Sequence, residues 1–320
     1  MADGTKIEWA DATWNPITGC LVTSPGCKRC YAMKLAGTRL KHHPSRAGLT
    51  VDTKNGPVWT GEVRLNEQWL DHPLRWRDPR MIFVCAHGDL FYERVPLPWQ
   101  DKVVGTMGSA PRHIYQVLTK RPDLMRSYFE DLPGRIHDLA CNSLLDWIDL
   151  PMPSVWLGCS IEDQRHADER REPMRLLAEM GWLTWVSYEP ALGPIDWTGW
   201  EFLRWIVSGG ESGEGARPSH PDWHRATRDF CASHGIAYLF KQWGAWGPAR
   251  PVPSGTPGRY AIANAGPHSS FLPAMVTEVD TYPRQFSLFG GATVRELVGK
   301  KRAGRLLDGR EHNEFPKVAA

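Results

Sequence analysis

The sequence predicts a parallel α/β fold, and three observations carry that prediction. Six short runs are rich in β-branched and aromatic residues. They lack the apolar–polar alternation of a half-exposed sheet, as strands buried on both faces do. Amphipathic stretches separate them, and strand followed by helix recurs about six times along the chain.

The first candidate strands are 81–86 (MIFVCA) and 113–118 (HIYQVL), and a candidate helix follows at 121–132. Strand 155–159 (VWLGC) leads to helix 163–180, where Leu, Met and Ala recur at helical spacing. Pro173 inside it predicts a kink or break, because proline removes a backbone donor and clashes with the preceding turn. Strands 183–187 (LTWVS) and 205–208 (WIVS), helix 221–234 and strand 237–240 (AYLF) complete the series. Residues 246–267 are rich in Pro, Gly and Ala and predict a loop or linker. The stretch 294–307 is basic. The chain therefore divides into an α/β body with an N-terminal Cys loop, 1–245, and a Pro/Gly-rich linker with a basic C-terminal extension, 246–320.

With 320 residues, 42% hydrophobic and 23% charged, the chain can bury a sizeable core. Residues 1–19 hold no apolar signal-peptide segment, and no apolar run is long enough to span a bilayer. A reducing cytoplasm is the expected location, which argues against a disulfide framework. A net charge of +2 neither demands nor excludes a nucleic-acid partner. Packing accounts for most of the 16 Trp residues, and base stacking is a further use for a few.

The most informative motif is TWNPITGCLVTSPGCKRCYA. Six residues lie between Cys20 and Cys27 and two between Cys27 and Cys30, with Pro25 and Gly26 making the stretch a loop. Three thiolates on one loop hold a metal centre and leave one coordination position open. Four readings stand: a [4Fe–4S] cluster, a zinc site completed by a histidine, a disulfide with one thiol over, and three unrelated thiols.

The candidate strands end in small or polar residues, and parallel sheets bind ligands at those ends. His87-Gly88-Asp89, Ser160-Ile161-Glu162, Glu189, Gly209-Gly210-Glu211 and Lys241-Gln242 form this set. Ser160, Asp163 and Ser212 are also good helix caps. Paired glycines at 209–210 permit close approach of a ligand, with Glu211 offering a carboxylate to a ribose hydroxyl or an ammonium. His87 is either a metal ligand or a hydrogen-bonding residue. Cys85 and Cys159 are either buried small hydrophobes or thiols facing a reaction chamber as hydrogen-atom donors.

The Cys loop followed by such a series resembles the radical S-adenosylmethionine superfamily. Its commonest pattern has three residues between the first two Cys, where this chain has six. TWNPITGC, SPGCKRCYA, GDLF (88–91), LTKRP (118–122), WLGCSIED (156–163), SYEP (187–190), SGGESGEGARP (208–218), FKQWG (240–244) and GRLLDGREHNEFP (304–316) resemble a phage-associated branch of that superfamily. The resemblance implies a partial (β/α)6 barrel, a [4Fe–4S] cluster on Cys20, Cys27 and Cys30, and S-adenosylmethionine as cofactor. Gly88 and Asp89 would meet the amino group, Ser160 and Glu162 the ribose or carboxylate, and Gly209, Gly210 and Glu211 the adenosyl group, with Glu189 a further cofactor neighbour. Reductive cleavage would give a 5′-deoxyadenosyl radical, and the electron would come from an external donor.

Two function classes follow. In the first, a radical enzyme acts on nucleic acid, DNA before RNA, with a peptide or a small molecule as the alternative substrate. A general likeness to spore photoproduct lyase makes lyase-type repair of a pyrimidine lesion one version and base modification another. Lys120, Arg121, Arg217, Lys241, Lys300, Lys301, Arg302, Arg305 and Arg310 supply positive charge, and Trp243, Trp246 and Tyr260 are candidate stacking residues. In the second, a non-enzymatic zinc module binds nucleic acid or protein.

Overall fold

A computed structural model describes residues 4–5, 7–140, 149–264, 276–283 and 292–317. Cys141 lies outside them. The fold is mixed α/β. Its strands are β1 (Ala12–Trp14), β2 (Ile17–Thr18), β3 (Thr50–Thr53), β4 (Gly56–Trp59), β5 (Arg64–Leu65), β6 (Met81–Val84), β7 (Ile114–Thr119), β8 (Val155–Ile161), β9 (Leu183–Tyr188), β10 (Trp205–Gly209), β11 (Ala237–Gln242), β12 (Trp246–Pro248), β13 (Pro257–Ala263), β14 (Val276–Thr281) and β15 (Thr293–Leu297). Its helices are α1 (Tyr31–Gly37), α2 (His72–Arg75), α3 (Leu97–Ser109), α4 (Pro122–Ala140), α5 (Gln164–Glu179), α6 (Pro221–His234) and α7 (Lys300–Ala303). The larger strand order is β1-β6-β7-β8-β9-β10-β11. All six expected strands are present, and β1 is a seventh.

The chain forms two compact units. The first is Met1–Ser160 with Arg170–Trp185. Here β1, β6, β7 and β8 pair in parallel, with Trp14 opposite Val84, Phe83 opposite Gln116 and Thr119 opposite Cys159. Parallel neighbours need long crossovers, which α3 and α4 supply. Trp14, Tyr115, Trp156 and Trp185 are fully buried here. Gly158 is required by this packing, since a Cβ there would stand 2.3 Å from the Trp185 ring. A smaller cluster joins α1 to the β3–β4 hairpin through Met33, Ala36, Leu49 and Trp59, and Cys20 and Cys30 pack against it.

The second unit is Ile161–Glu169 with Val186–Ala320. β10 and β11 pair in parallel, and α6 covers them with Trp223, His224, Thr227 and Cys231 buried. The His220 side chain accepts from Asp222 N at the start of α6, and Gly235 ends it in the left-handed conformation at φ 66°.

Two expectations are corrected. Residues 246–264 are not simply a loop or linker, and the basic stretch 294–307 contributes to a sheet. β12, β13 and β15 join β14 in an antiparallel sheet of order β12-β15-β13-β14, inside the second unit. Proline misled because Pro248 ends the edge strand β12 and Pro257 begins β13, places where a missing donor costs no ladder bond. Likewise α5 does not break at Pro173. Ala167, Met174 and Leu177 on either side of the proline are fully buried, and that packing offsets the lost bond.

Among the described residues no helix is long and apolar enough to cross a membrane.

A candidate metal and cofactor cavity in the first unit

The Cys loop is built from local turns. Pro25–Cys27 forms a 3-10 turn, Cys27 N donates to Ser24 O at 2.9 Å, and Cys30 N donates to Cys27 O at 3.1 Å. Cys30 then caps α1, with its carbonyl accepting from Lys34 N. These turns place Cys27 and Cys30 on the same short arc. Cys20 arrives by another route. Gly19 bridges Gly88 as a parallel pair, and its N–H donates to His87 O at 3.1 Å. A Cβ on Gly19, at φ 98°, would meet Glu62 O at 2.1 Å, and one on Gly88 would meet Ile17 O at 2.9 Å. Both glycines are consumed by this close approach, which sets Cys20 beside Asp89.

Cys20, Cys27, Cys30, Cys85, Gly88, Asp89 and Ser160 line one cavity, together with Leu21, Tyr31, Trp59, Phe83, Lys120 and Arg121. Every lining residue belongs to the first unit. About 660 Å³ is unfilled by protein, part of it continuous with solvent.

Burial pushes the Cys20 thiol up, the Asp89 carboxylate and the thiols of Cys27 and Cys30 add to the shift, and Arg121 opposes it. Burial also raises Cys30, helped by Cys27. Cys20 and Cys30 each respond to the Cys27 thiol. Cys85 is pushed up to about 12 by burial, and the charges it responds to are Asp89 and Arg46 rather than the loop thiols. Cys85 also holds φ 54°, an uncommon conformation for a residue with a Cβ.

Asp89 and Arg121 form the charged wall. The two side chains meet at 3.0 Å and each is 6% exposed. Asp89 Oδ1 accepts from Thr119 Oγ1 at 2.7 Å and Phe91 N at 3.1 Å, and Oδ2 also accepts from Lys120 N at 3.2 Å. Both oxygens are thus occupied within the protein, so an incoming ammonium would have to displace a partner. Arg121 donates from Nε to Glu93, approaches Leu21 O at 3.4 Å and Cys20 Sγ at 4.0 Å, and lies 4.6 Å from the Tyr92 ring centroid. Sequence reasoning placed Arg121 on a nucleic-acid surface. The structure buries it as the clamp between Asp89 and the Cys20 loop. Its signal was available in LTKRP, where it follows a strand end directly.

The donor chemistry, three thiols, is of the kind that iron–sulfur clusters and zinc both take. Three soft thiols share a wall, and no histidine lines the cavity. His87 stays off that wall and accepts from Arg46 Nε at 3.4 Å; burial, with Arg46 second, lowers it to about 4. Among the described residues no three His, Cys, Asp or Glu side chains stand close enough together to hold a metal ion as they are placed.

The remaining site residues are placed differently. Cys159 is fully buried and does not line the cavity. The Ser160 carbonyl accepts from Arg170 at 2.6 Å. Glu162, Glu189, Gly209, Gly210 and Glu211 belong to the second unit. Glu162 is fully buried. Glu189 pairs with Lys241 at 2.8 Å and accepts from Gln242. Glu211 is held by Arg217, whose Nε and backbone N each donate at 2.8 Å. Gly210 is needed for packing, because a Cβ would stand 2.1 Å from Trp243 O.

The expected stacking residues are corrected. Trp243 is 4% exposed, Trp246 0% and Tyr260 4%. Trp246 donates to Ala216 O, Trp243 donates to Leu306 O, and Arg295 lies 4.2 Å from the Trp243 ring centroid. Near them, His224 lies between Ser208 Oγ at 2.5 Å and Ser219 Oγ at 3.0 Å, and burial, then Arg295, lower it to about 3. It is a neutral core histidine. Lys300, Lys301, Arg302 and Arg310 remain exposed.

A family model described as a protein of unknown function, DUF5131, matches residues 4–316. No curated protein and no solved structure matches the chain.

Proposed function

The chain belongs to the DUF5131 family of proteins of unknown function, and we propose that it is a radical S-adenosylmethionine enzyme with its reaction centre in the Cys-lined cavity. One observation supports this reading: Cys20, Cys27 and Cys30 line one open cavity that no histidine lines. Cys20, Cys27 and Cys30 would hold a [4Fe–4S] cluster, with S-adenosylmethionine taking the open position. When bound, this pair supplies a 5′-deoxyadenosyl radical that abstracts hydrogen from an unreactive carbon. The fold expected with it is the radical-SAM partial (β/α)6 barrel.

The chain's own residues supply the rest. Arg121 sets a fixed positive charge beside Cys20 and holds Leu21 through its carbonyl. Leu21, Trp59 and Phe83 give the cavity an apolar lining that limits water around a reactive species. Cys85, protonated at neutral pH, keeps an S–H in the same cavity and is the proposed hydrogen-atom donor. Cys159 drops out of that role. Gly88, Asp89 and Ser160 are retained as cofactor neighbours, and nothing proposed here depends on the acidic and glycine residues of the second unit. The proposed substrate is nucleic acid, DNA before RNA, and a one-electron donor outside the chain supplies the reductant.

Reconstituted, chemically reduced protein mixed with S-adenosylmethionine is expected to release 5′-deoxyadenosine, measured by chromatography against a Cys20→Ala control. A cluster that accepts an electron and yet yields no 5′-deoxyadenosine under any reductant would sink the enzyme reading.

A further inference from the structure

Charge is distributed unevenly along this chain. Residues 12–51 contain Lys28, Arg29, Lys34, Arg39, Lys41 and Arg46 and no Asp or Glu. The chain as a whole is +2, so a stretch of +6 holds the Cys loop and α1 while the remaining residues sum to −4. Such asymmetry marks a surface for an anionic partner.

The structure separates these cations. Arg46 is buried against Ser45, and Lys41 is bridged to Asp52. Lys28, Arg29, Lys34 and Arg39 are exposed. Lys28 and Arg29 lie between Cys27 and Cys30, and Lys34 is one helical turn beyond Tyr31. Lys120 lines the cavity.

Tyr31 adds a second, independent feature. It lines the cavity and is 50% exposed, so it stands at the cavity mouth. Its hydroxyl donates to Ala86 O at 2.8 Å, and its ring meets His87 edge-on at 5.9 Å. The ring is therefore fixed in place with half its surface open. A fixed aromatic among cations is the arrangement that binds single strands: phosphates take the charge and a base takes the ring face.

We infer that the Cys loop and α1 form the entry surface for single-stranded nucleic acid. Phosphates lie on Lys28, Arg29, Lys34 and Arg39, and one base stacks on Tyr31 at the cavity mouth. This rests on the nucleic-acid reading of the substrate and gives it a location away from the C-terminal basic run. An acidic protein is the rival occupant. The anchored half-exposed ring at the opening of the cavity favours a base.

The test is fluorescence anisotropy with a fluorescein-labelled single-stranded DNA oligonucleotide over a salt series. The slope of log affinity against log salt should fall by about 0.7 for each phosphate contact removed. The combined variant Lys28→Ala, Arg29→Ala, Lys34→Ala, Arg39→Ala should lose most of that slope. Tyr31→Ala should weaken binding by roughly 5- to 150-fold at every salt concentration, and Tyr31→Phe should restore it. Lys300→Ala, Lys301→Ala, Arg302→Ala should bind as wild type does. Iron–sulfur absorbance recorded on the same samples separates this surface from the cluster: an unchanged cluster with lost binding supports the surface, and binding without any cluster sinks the chemistry alone. The inference is overturned if wild-type protein binds no oligonucleotide at low salt, if the fourfold variant keeps the full slope, or if polyglutamate of matched charge binds as tightly through the same residues.

Discussion

Alanine at Cys20, Cys27 or Cys30 is expected to abolish the brown iron–sulfur absorbance of the reconstituted protein, each alone as completely as all three together. A cluster held by three protein thiolates has no spare ligand: the next thiol on the wall, Cys85, responds to Asp89 and Arg46 and not to the loop. Cys231→Ala, in the buried face of α6, should leave the absorbance intact. Cys85→Ala should do the same, since its proposed role is hydrogen donation. The readout is the visible spectrum with iron determination on the same sample. Three single variants that retain a full cluster would remove the assignment of these ligands.

The second large effect is on stability. Arg121→Ala is expected to destabilise the metal-free protein by about 3–5 kcal/mol, because it leaves the Asp89 carboxylate buried without its counter-charge. The same truncation releases Glu93, Leu21 O and the face of Tyr92. Arg121→Lys keeps the charge and loses the fork that spans Asp89 and Glu93 at once, so it should recover only part of the loss. Urea unfolding followed by far-ultraviolet circular dichroism measures both. A cost below about 1 kcal/mol for Arg121→Ala, the range of an exposed pair, would show that the wall is not the clamp described.

How much of this was legible depends on what each residue's neighbours do. Strands β6 to β11 announced themselves, because a buried parallel strand must be a short apolar run whatever its partners. β1 did not: Ala12–Trp14 is too short for any periodicity, and its place beside β6 is a long-range pairing. Pro173 and the prolines of 246–264 misled because the cost of a proline is set by packing and by position in a sheet, neither of which is local. The spacing of Cys20, Cys27 and Cys30 left four readings open, and the fold adds that all three line one cavity. Trp243 and Trp246 could not be placed, since an aromatic beside a strand end looks the same whether it faces water or Arg295. Gly19 and Gly88 were not legible, because only the fold shows that the two approach each other in one bridge. The acid-free window at 12–51 was present in the sequence as a pattern of omission, visible once the structure showed which of its cations are exposed.

The central claim is that the Cys-lined cavity is an iron–sulfur site. The most direct measurement is a count of iron, acid-labile sulfide and zinc in protein purified without oxygen and reconstituted with iron and sulfide. The account predicts about four irons and four sulfides per chain, lost together in Cys27→Ala, and no stoichiometric zinc. A colourless protein holding one zinc per chain through the same three cysteines would contradict it.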